Sequence, residues 1–141
     1  MSKAITFHHQ KRCNVYIARD LKQELIYIFN QEKCTFHHLS IILCDDEFLL
    51  NINKSQLNHN YYTDTITFNY SNTPIIDGEI YISVDRVKEN AFNLCLTMKH
   101  EFHRVLFHSV LHLCGYDDAS TIQRSAMSAK EDVYLTHYIQ Q

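Results

Sequence analysis

The sequence predicts an α+β fold in which a small mixed β-sheet packs against helices and a buried central helix carries two histidines. Three observations lead there. Read in order, the segments run strand, helix, strand, helix, strand, strand and then three helices, an order that suits a small sheet packed on helices. On a helical wheel from Phe102 to Leu113, the residues Phe102, Val105, Leu106, Phe107, Val110, Leu111 and Leu113 cover most of the circumference. A helix apolar nearly all round is a buried one. The chain has 141 residues, 45% of them hydrophobic and 12% aromatic, enough to build one real core and to make residues 1–141 a single domain.

Each element has its own signal. Ile5 to Phe7 reads as a short strand. Asp20 opens a helix to about Asn30, with Leu21, Leu25, Ile28 and Phe29 at helical spacing. Phe36 to Cys44 is a strand with Leu39, Ile41, Ile42 and Leu43 as its core residues. Asp45 and Asp46 precede a helix from Glu47 to about Leu57, an acidic start that the helix dipole favours. Between Tyr61 and Tyr70, Thr65, Thr67 and Asn69 alternate with Ile66, Phe68 and Tyr70, the pattern of a half-buried strand. Glu79 to Val84 is a further strand after Asp77-Gly78, able to pair with the preceding one as a hairpin with a long connection. Arg86 to Leu96 and Lys99 to Cys114 read as helices. Ser120 is a good N-cap for a last helix to about Ile139, with Ala126, Met127, Val133 and Tyr134 packing it on the core. His8-His9 and His37-His38 fall in strands, where neighbours point to opposite faces, so neither pair chelates as a unit.

Composition narrows the function classes. The first ten residues carry Lys3, His8 and His9 without an apolar stretch, which predicts no signal peptide. No apolar run approaches the roughly 20 residues of a membrane span. Five cysteines, Cys13, Cys34, Cys44, Cys95 and Cys114, include no CxxC pair and read as reduced thiols of a cytoplasmic protein. A net charge of −3 argues against gripping nucleic acid by electrostatics alone, because neutralising phosphates requires surplus Lys and Arg. RNA binding would rest on a local patch or on a partner.

The chemistry is concentrated in His108-Ser109-Val110-Leu111-His112-Leu113-Cys114-Gly115-Tyr116-Asp117-Asp118. Histidines four apart lie one above the other on a helix face, so both imidazoles can point at one ion. Gly115, one of only two glycines, suits the left-handed turn that closes a helix and sends the chain back towards the histidines. Asp118 is placed to be the third ligand, with Asp117 as its rival. Two core histidines on one face are the plain alternative. Against it, Arg104, His108 and His112 share one narrow polar stripe, and buried polar groups need partners. Two nitrogens and one oxygen with an open fourth position describe a catalytic site. The expected ion is zinc, other divalent ions being compatible.

This stretch resembles the signature HGxLHLxGYDH of the YbeY family, bacterial metal-dependent endoribonucleases of rRNA maturation. Both histidines, Leu111, Leu113, Gly115, Tyr116 and Asp117 match as they stand. Ser109 departs from the family glycine, and Asp118 stands where most members have a third histidine. Ile52-Asn53 and Thr63-Asp64-Thr65-Ile66-Thr67-Phe68 are similar to the family pattern LNxxYRxxDxPTDVLSF, and Gly78-Glu79-Ile80 to its GDI element. On this alignment Gln56 replaces the family tyrosine, Leu57 an arginine thought to matter for catalysis, and Asn60 the aspartate. The resemblance covers roughly residues 49 to 118. It implies an α+β fold, rRNA and small ribosomal subunit components as partners, and neither membrane nor DNA.

By chemistry alone a metal-activated water can attack a phosphodiester or a peptide. Metalloproteases of the HExxH type place a glutamate after the first histidine; here that position is Ser109, which takes no proton at neutral pH. For phosphodiester cleavage, Arg104 and Arg86 are the candidates to meet charge on phosphate oxygens, with surface or core ion pairs as their alternative. Asp64 is a candidate to orient a ligand imidazole. Cys114 reads as core. Two functions follow: a metal-dependent endoribonuclease, or a non-catalytic ribosome-assembly factor with a structural metal.

Overall fold

The computed structural model describes residues 4–139; Lys3 lies outside the described residues. In chain order the elements are β1 (Ala4–His9), α1 (Leu21–Gln31), β2 (Phe36–Cys44), α2 (Asp46–Leu57), β3 (Thr65–Asn69), β4 (Ile76–Ser83), α3 (Val84–Asn93), α4 (Met98–Leu113) and α5 (Thr121–Ile139). The strands form one sheet in the order β1-β2-β4-β3, parallel except for the antiparallel pair β3 and β4. The expected α+β architecture and mixed sheet are present. The hairpin is as well, with Thr65 opposite Ile82.

Strand alternation divides the core in two. Leu39, Ile41 and Leu43 of β2 join Ile80 and Ile82 of β4 in the main core, together with Leu25 and Ile28 of α1 and Phe102, Leu106 and Val110 of α4. A smaller cluster holds Cys44, Leu49 and Ile66, with Ile52, Phe68 and Tyr81 against it. Ile42, expected in the core of β2, is only half-buried, because its odd-even position sends it to the other face. On α5 the inner residues are Met127, Glu131, Tyr134 and Leu135. Ala126 and Val133, expected there, are exposed. The true face repeats every three to four residues and includes a glutamate that an apolar pattern passes over.

Strand β3 starts at Thr65 instead of Tyr61. The reason is local: the buried Asn53 side chain donates to the Tyr61 carbonyl at 2.9 Å, diverting that stretch from the sheet. The apolar side of β3, Ile66 and Phe68, faces the smaller cluster. Its threonine side faces α4, where the hydroxyls of Thr65 and Ser109 lie 2.8 Å apart.

Helix α4 is seated by enclosure. Phe102, Leu106, Phe107, Val110 and Leu111 are each at most 1% exposed, and burying a side chain of this kind stabilises by about 1.5–3 kcal/mol. Both glycines serve this helix. A Cβ at Gly78 would come within 2.9 Å of Leu113 Cδ1, so the bare backbone there lets α4 lie close to β4. Gly115, at φ +102°, ends it. Its N–H donates to the His112 carbonyl at 3.0 Å and the Tyr116 N–H to that of Leu111 at 3.1 Å, the paired closure of a Schellman motif. At the other end the Thr97 hydroxyl caps the His100 N–H at 3.0 Å.

Glu32, just beyond α1, ties this turn to α5. It accepts from the Tyr116 hydroxyl at 2.8 Å and from the Tyr134 hydroxyl, and pairs with Lys130 at 3.3 Å. Burial works to raise its pKa, but the hydrogen bonds and Lys130 outweigh it and leave the carboxyl below its ordinary value. A depressed carboxyl stabilises the fold above its unfolded-state pKa, and that stabilisation is lost as pH falls through the folded value. Glu32→Gln should therefore lower Tm at pH 7, with the gap to wild type closing as pH falls through the carboxylate range. Thermal melts followed by circular dichroism between pH 7 and pH 3 test this; a gap that stays constant contradicts it.

Candidate metal centre

His108 and His112 sit on the one stripe of α4 that is not sealed, their side chains 20% and 24% exposed. The Schellman turn brings the chain back so that Asp118 Oδ2 lies 3.3 Å from His112 Nε2 and 3.7 Å from His108 Nε2. One ligand atom from each residue falls within 4.8 Å of the others. Donors about 2.0–2.2 Å from a common ion lie roughly 3–4 Å from one another, so small side-chain adjustments complete a site. Asp117 does not join the group: its Oδ1 accepts the Asp118 N–H at 2.8 Å and shapes the turn.

The imidazole orientations decide what the group can hold. His108 Nδ1 lies 2.6 Å from Glu131 Oε2, and His112 Nδ1 lies 3.0 Å from the Tyr116 carbonyl oxygen. Both partners only accept, so both Nδ1 atoms donate. When neutral, each ring then presents a lone pair at Nε2, turned towards the Asp118 carboxylate. Acceptors converging on one point in this way call for a cation or a proton between them. A divalent metal fits this donor set, and the Nδ1 bonds are of the kind that orient metal-ligating histidines.

Neither of these partners was singled out from the sequence. Glu131 is 4% exposed on the inner face of α5; a carboxylate repeating with Met127, Tyr134 and Leu135 was the available signal. The Tyr116 carbonyl has no side-chain signature at all. Asp64, the sequence candidate for that role, accepts from Asn90 Nδ2 at 3.3 Å and makes no hydrogen bond to either ring. Burial raises its carboxyl, with Arg104 and His108 opposing.

The two arginines are committed to carboxylates. Arg104 grips Glu101 through Nε at 2.7 Å and Nη2 at 2.6 Å, and reaches Glu131 through Nη1 at 3.3 Å. Glu101 foremost, with Glu131, raises the guanidinium pKa further. Arg86 binds Asp46 at 2.8 Å and Glu89 at 3.3 Å. Burial leaves Glu101 and Glu131 in need of a cation, and Arg104 supplies it. Neither arginine lines the cleft above the triad. That cleft, about 310 Å³, is walled by His59, Tyr61, Thr65, Thr67 and Leu57. Ser109 is fully buried and donates to the Val105 carbonyl at 2.8 Å. Cys114 stands outside the triad.

A family model described as Endoribonuclease YbeY matches residues 4–139. The chain belongs to the YbeY endoribonuclease family. Among its relatives named Endoribonuclease YbeY, that of Karelsulcia muelleri is 37% identical over 131 residues, covering 93% of each chain. That of Cytophaga hutchinsonii is 46% identical, covering 83% of this chain and 82% of its own, and that of Flavobacterium psychrophilum 40%, covering 86% and 91%. The solution structure of TM1509 from Thermotoga maritima superposes with a TM-score of 0.67 at 26% identity, over 94% of this chain and 87% of the other. In this YbeY-family chain the exposed Leu57 lines the cleft, and Asp118 lies with the two histidines at its floor.

If Glu131 fixes His108 for the ion, Glu131→Gln should weaken metal binding by about tenfold, at the lower end of what such orienting partners contribute. Competition against a chromophoric chelator at pH 7 measures it. Equal affinity in the two proteins would mean that Glu131 serves Arg104 alone.

Proposed function

We propose that this chain is a metal-dependent endoribonuclease that cuts single-stranded RNA during rRNA maturation. The observation that carries the proposal is the convergence of two Nε2 lone pairs and one carboxylate at the floor of an open cleft, in a chain of the YbeY family. His108, His112 and Asp118 would hold the ion, with zinc the best match to two imidazoles and a carboxylate. When bound, the ion supplies Lewis acidity to a phosphoryl oxygen and an acidified water as nucleophile.

The chain's own residues do the rest. Glu131 and the Tyr116 carbonyl keep the protons on Nδ1 and the lone pairs on Nε2. Arg104 is a positioning residue: it neutralises Glu131 and Glu101 and so fixes the acceptor of His108. Ser109 supplies no base, because a serine hydroxyl takes up no proton at neutral pH and this one is fully buried, which disfavours peptide hydrolysis of the HExxH kind. We read residues 1–141 as one domain working in the cytoplasm on rRNA and components of the small ribosomal subunit. No helix among the described residues is long and apolar enough to cross a membrane.

One observation favours the second reading, a ribosome-assembly factor with a structural metal. The residues lining the cleft include neither lysine nor arginine, and Leu57 occupies the family arginine position. Purified protein and an end-labelled oligoribonucleotide separate the two. The nuclease reading expects internal cuts in a single strand, none in the matching duplex, intact peptides, and complete loss with a chelator. Cutting that survives full metal removal contradicts the mechanism; inert but metal-loaded protein favours the assembly factor.

A further inference from the structure

We propose that the exposed ring pair His59 and Tyr61 is a stacking platform that holds one unpaired RNA base beside the metal triad. The inference rests on the nuclease reading for its substrate class, and it assigns a role to two residues outside the motif positions.

The platform is built by a single anchor. Helix α2 ends at Leu57, and Asn58 turns the chain back in the left-handed conformation, φ 56° and ψ 32°. The His59 N–H then donates to the Asn53 carbonyl at 2.9 Å, and Asn53 Nδ2 donates to the Tyr61 carbonyl at 2.9 Å. Asn53 is 2% exposed, so one buried residue fixes the backbone beneath both rings. The rings lie nearly parallel, 19° apart with centroids at 5.2 Å. The Tyr61 hydroxyl and His59 Nδ1 are 3.0 Å apart and share a hydrogen bond. The two rings share one plane direction, and Tyr61 remains 56% exposed.

Its place gives it a ligand. His59 and Tyr61 wall the same cleft as His108, His112 and Asp118, so whatever lies on the rings lies beside the triad. The neighbouring Tyr62 is different: its hydroxyl donates to Glu47 at 2.6 Å and its ring lies 5.4 Å from the Arg86 guanidinium. It has partners, and Tyr61 keeps an open surface.

Charge accounting leaves stacking as the source of affinity. Neutralising phosphates requires free Lys or Arg; the cleft lining has neither, Arg104 and Arg86 are paired, and the net charge is −3. Base–aromatic stacking tolerates any sequence and needs no cation. Thr67, on the same wall, offers a hydroxyl to sugar and phosphate. A base inside a duplex is already stacked on its neighbours and cannot mount the rings. The platform therefore selects single strands, as RNA recognition through splayed bases generally does.

The test uses full-length, metal-loaded protein and a single-stranded oligoribonucleotide carrying 2-aminopurine, whose fluorescence falls when it stacks. Stopped-flow mixing should give a rapid quench that precedes cutting. Tyr61→Ala should abolish the quench and raise KM by on the order of tenfold with kcat unchanged, the mark of lost uniform binding. Tyr61→Phe keeps the ring and should match wild type, and His59→Ala should fall between. Quench and KM equal in Tyr61→Ala and wild type overturn the platform, as they would if the rings served a protein partner. A normal quench that Tyr61→Ala removes, in protein that never cuts, supports the platform and overturns the nuclease reading instead.

Discussion

Two hydrogen bonds from imidazole Nδ1 atoms, one from His108 to Glu131 and one from His112 to the Tyr116 carbonyl, govern the site. Each fixes a tautomer as well as an orientation, and together they turn two Nε2 lone pairs onto the Asp118 carboxylate. Each acceptor is itself restrained. Glu131 is buried and faces Arg104, which is forked onto Glu101. Buried ion pairs of this sort add little net stability; the role of this one is to fix a carboxylate where an imidazole needs it. The Tyr116 carbonyl is held by the Schellman turn before it and by its own hydroxyl on Glu32.

The restraint extends outward through the helices. Glu32 caps the end of α1, and Glu131 and Tyr134 belong to α5, so two separate elements converge on a few atoms at the end of α4. Their relative positions come from apolar packing. A hydrogen bond contributes about 1 kcal/mol net, whereas the enclosed side chains of α4 contribute more than that apiece. Packing sets where α4 lies, and the hydrogen bonds set which way its histidines point. Gly78 and Gly115 permit both, one by its missing Cβ and one by its positive φ.

Much of this was legible in the sequence because it is periodic. The strands and helices, the enclosure of α4 and the grouping of His108, His112 and Asp118 follow from spacings of two, three and four and from one glycine. What could not be read depends on distance along the chain. Glu131 lies 23 residues from His108, and Glu32 lies 84 from Tyr116; no local pattern joins them. Arg104 and Arg86 were read as candidates to meet phosphate oxygens, with ion pairs as the alternative, because a sequence does not display the acids that pair with them. Ile42, Ala126 and Val133 were assigned to the core by hydrophobicity, where strand alternation and helix phase turned them elsewhere.

The central claim is that two imidazoles and the Asp118 carboxylate hold one ion. X-ray absorption at the zinc edge, on protein loaded with one equivalent, tests it most directly when repeated on Asp118→Ala and Asp117→Ala. The account predicts two imidazoles with nitrogen and oxygen neighbours at about 2.0–2.2 Å, altered in Asp118→Ala and preserved in Asp117→Ala. A sulfur neighbour at about 2.3 Å, or a spectrum that changes with Asp117 and ignores Asp118, would contradict it.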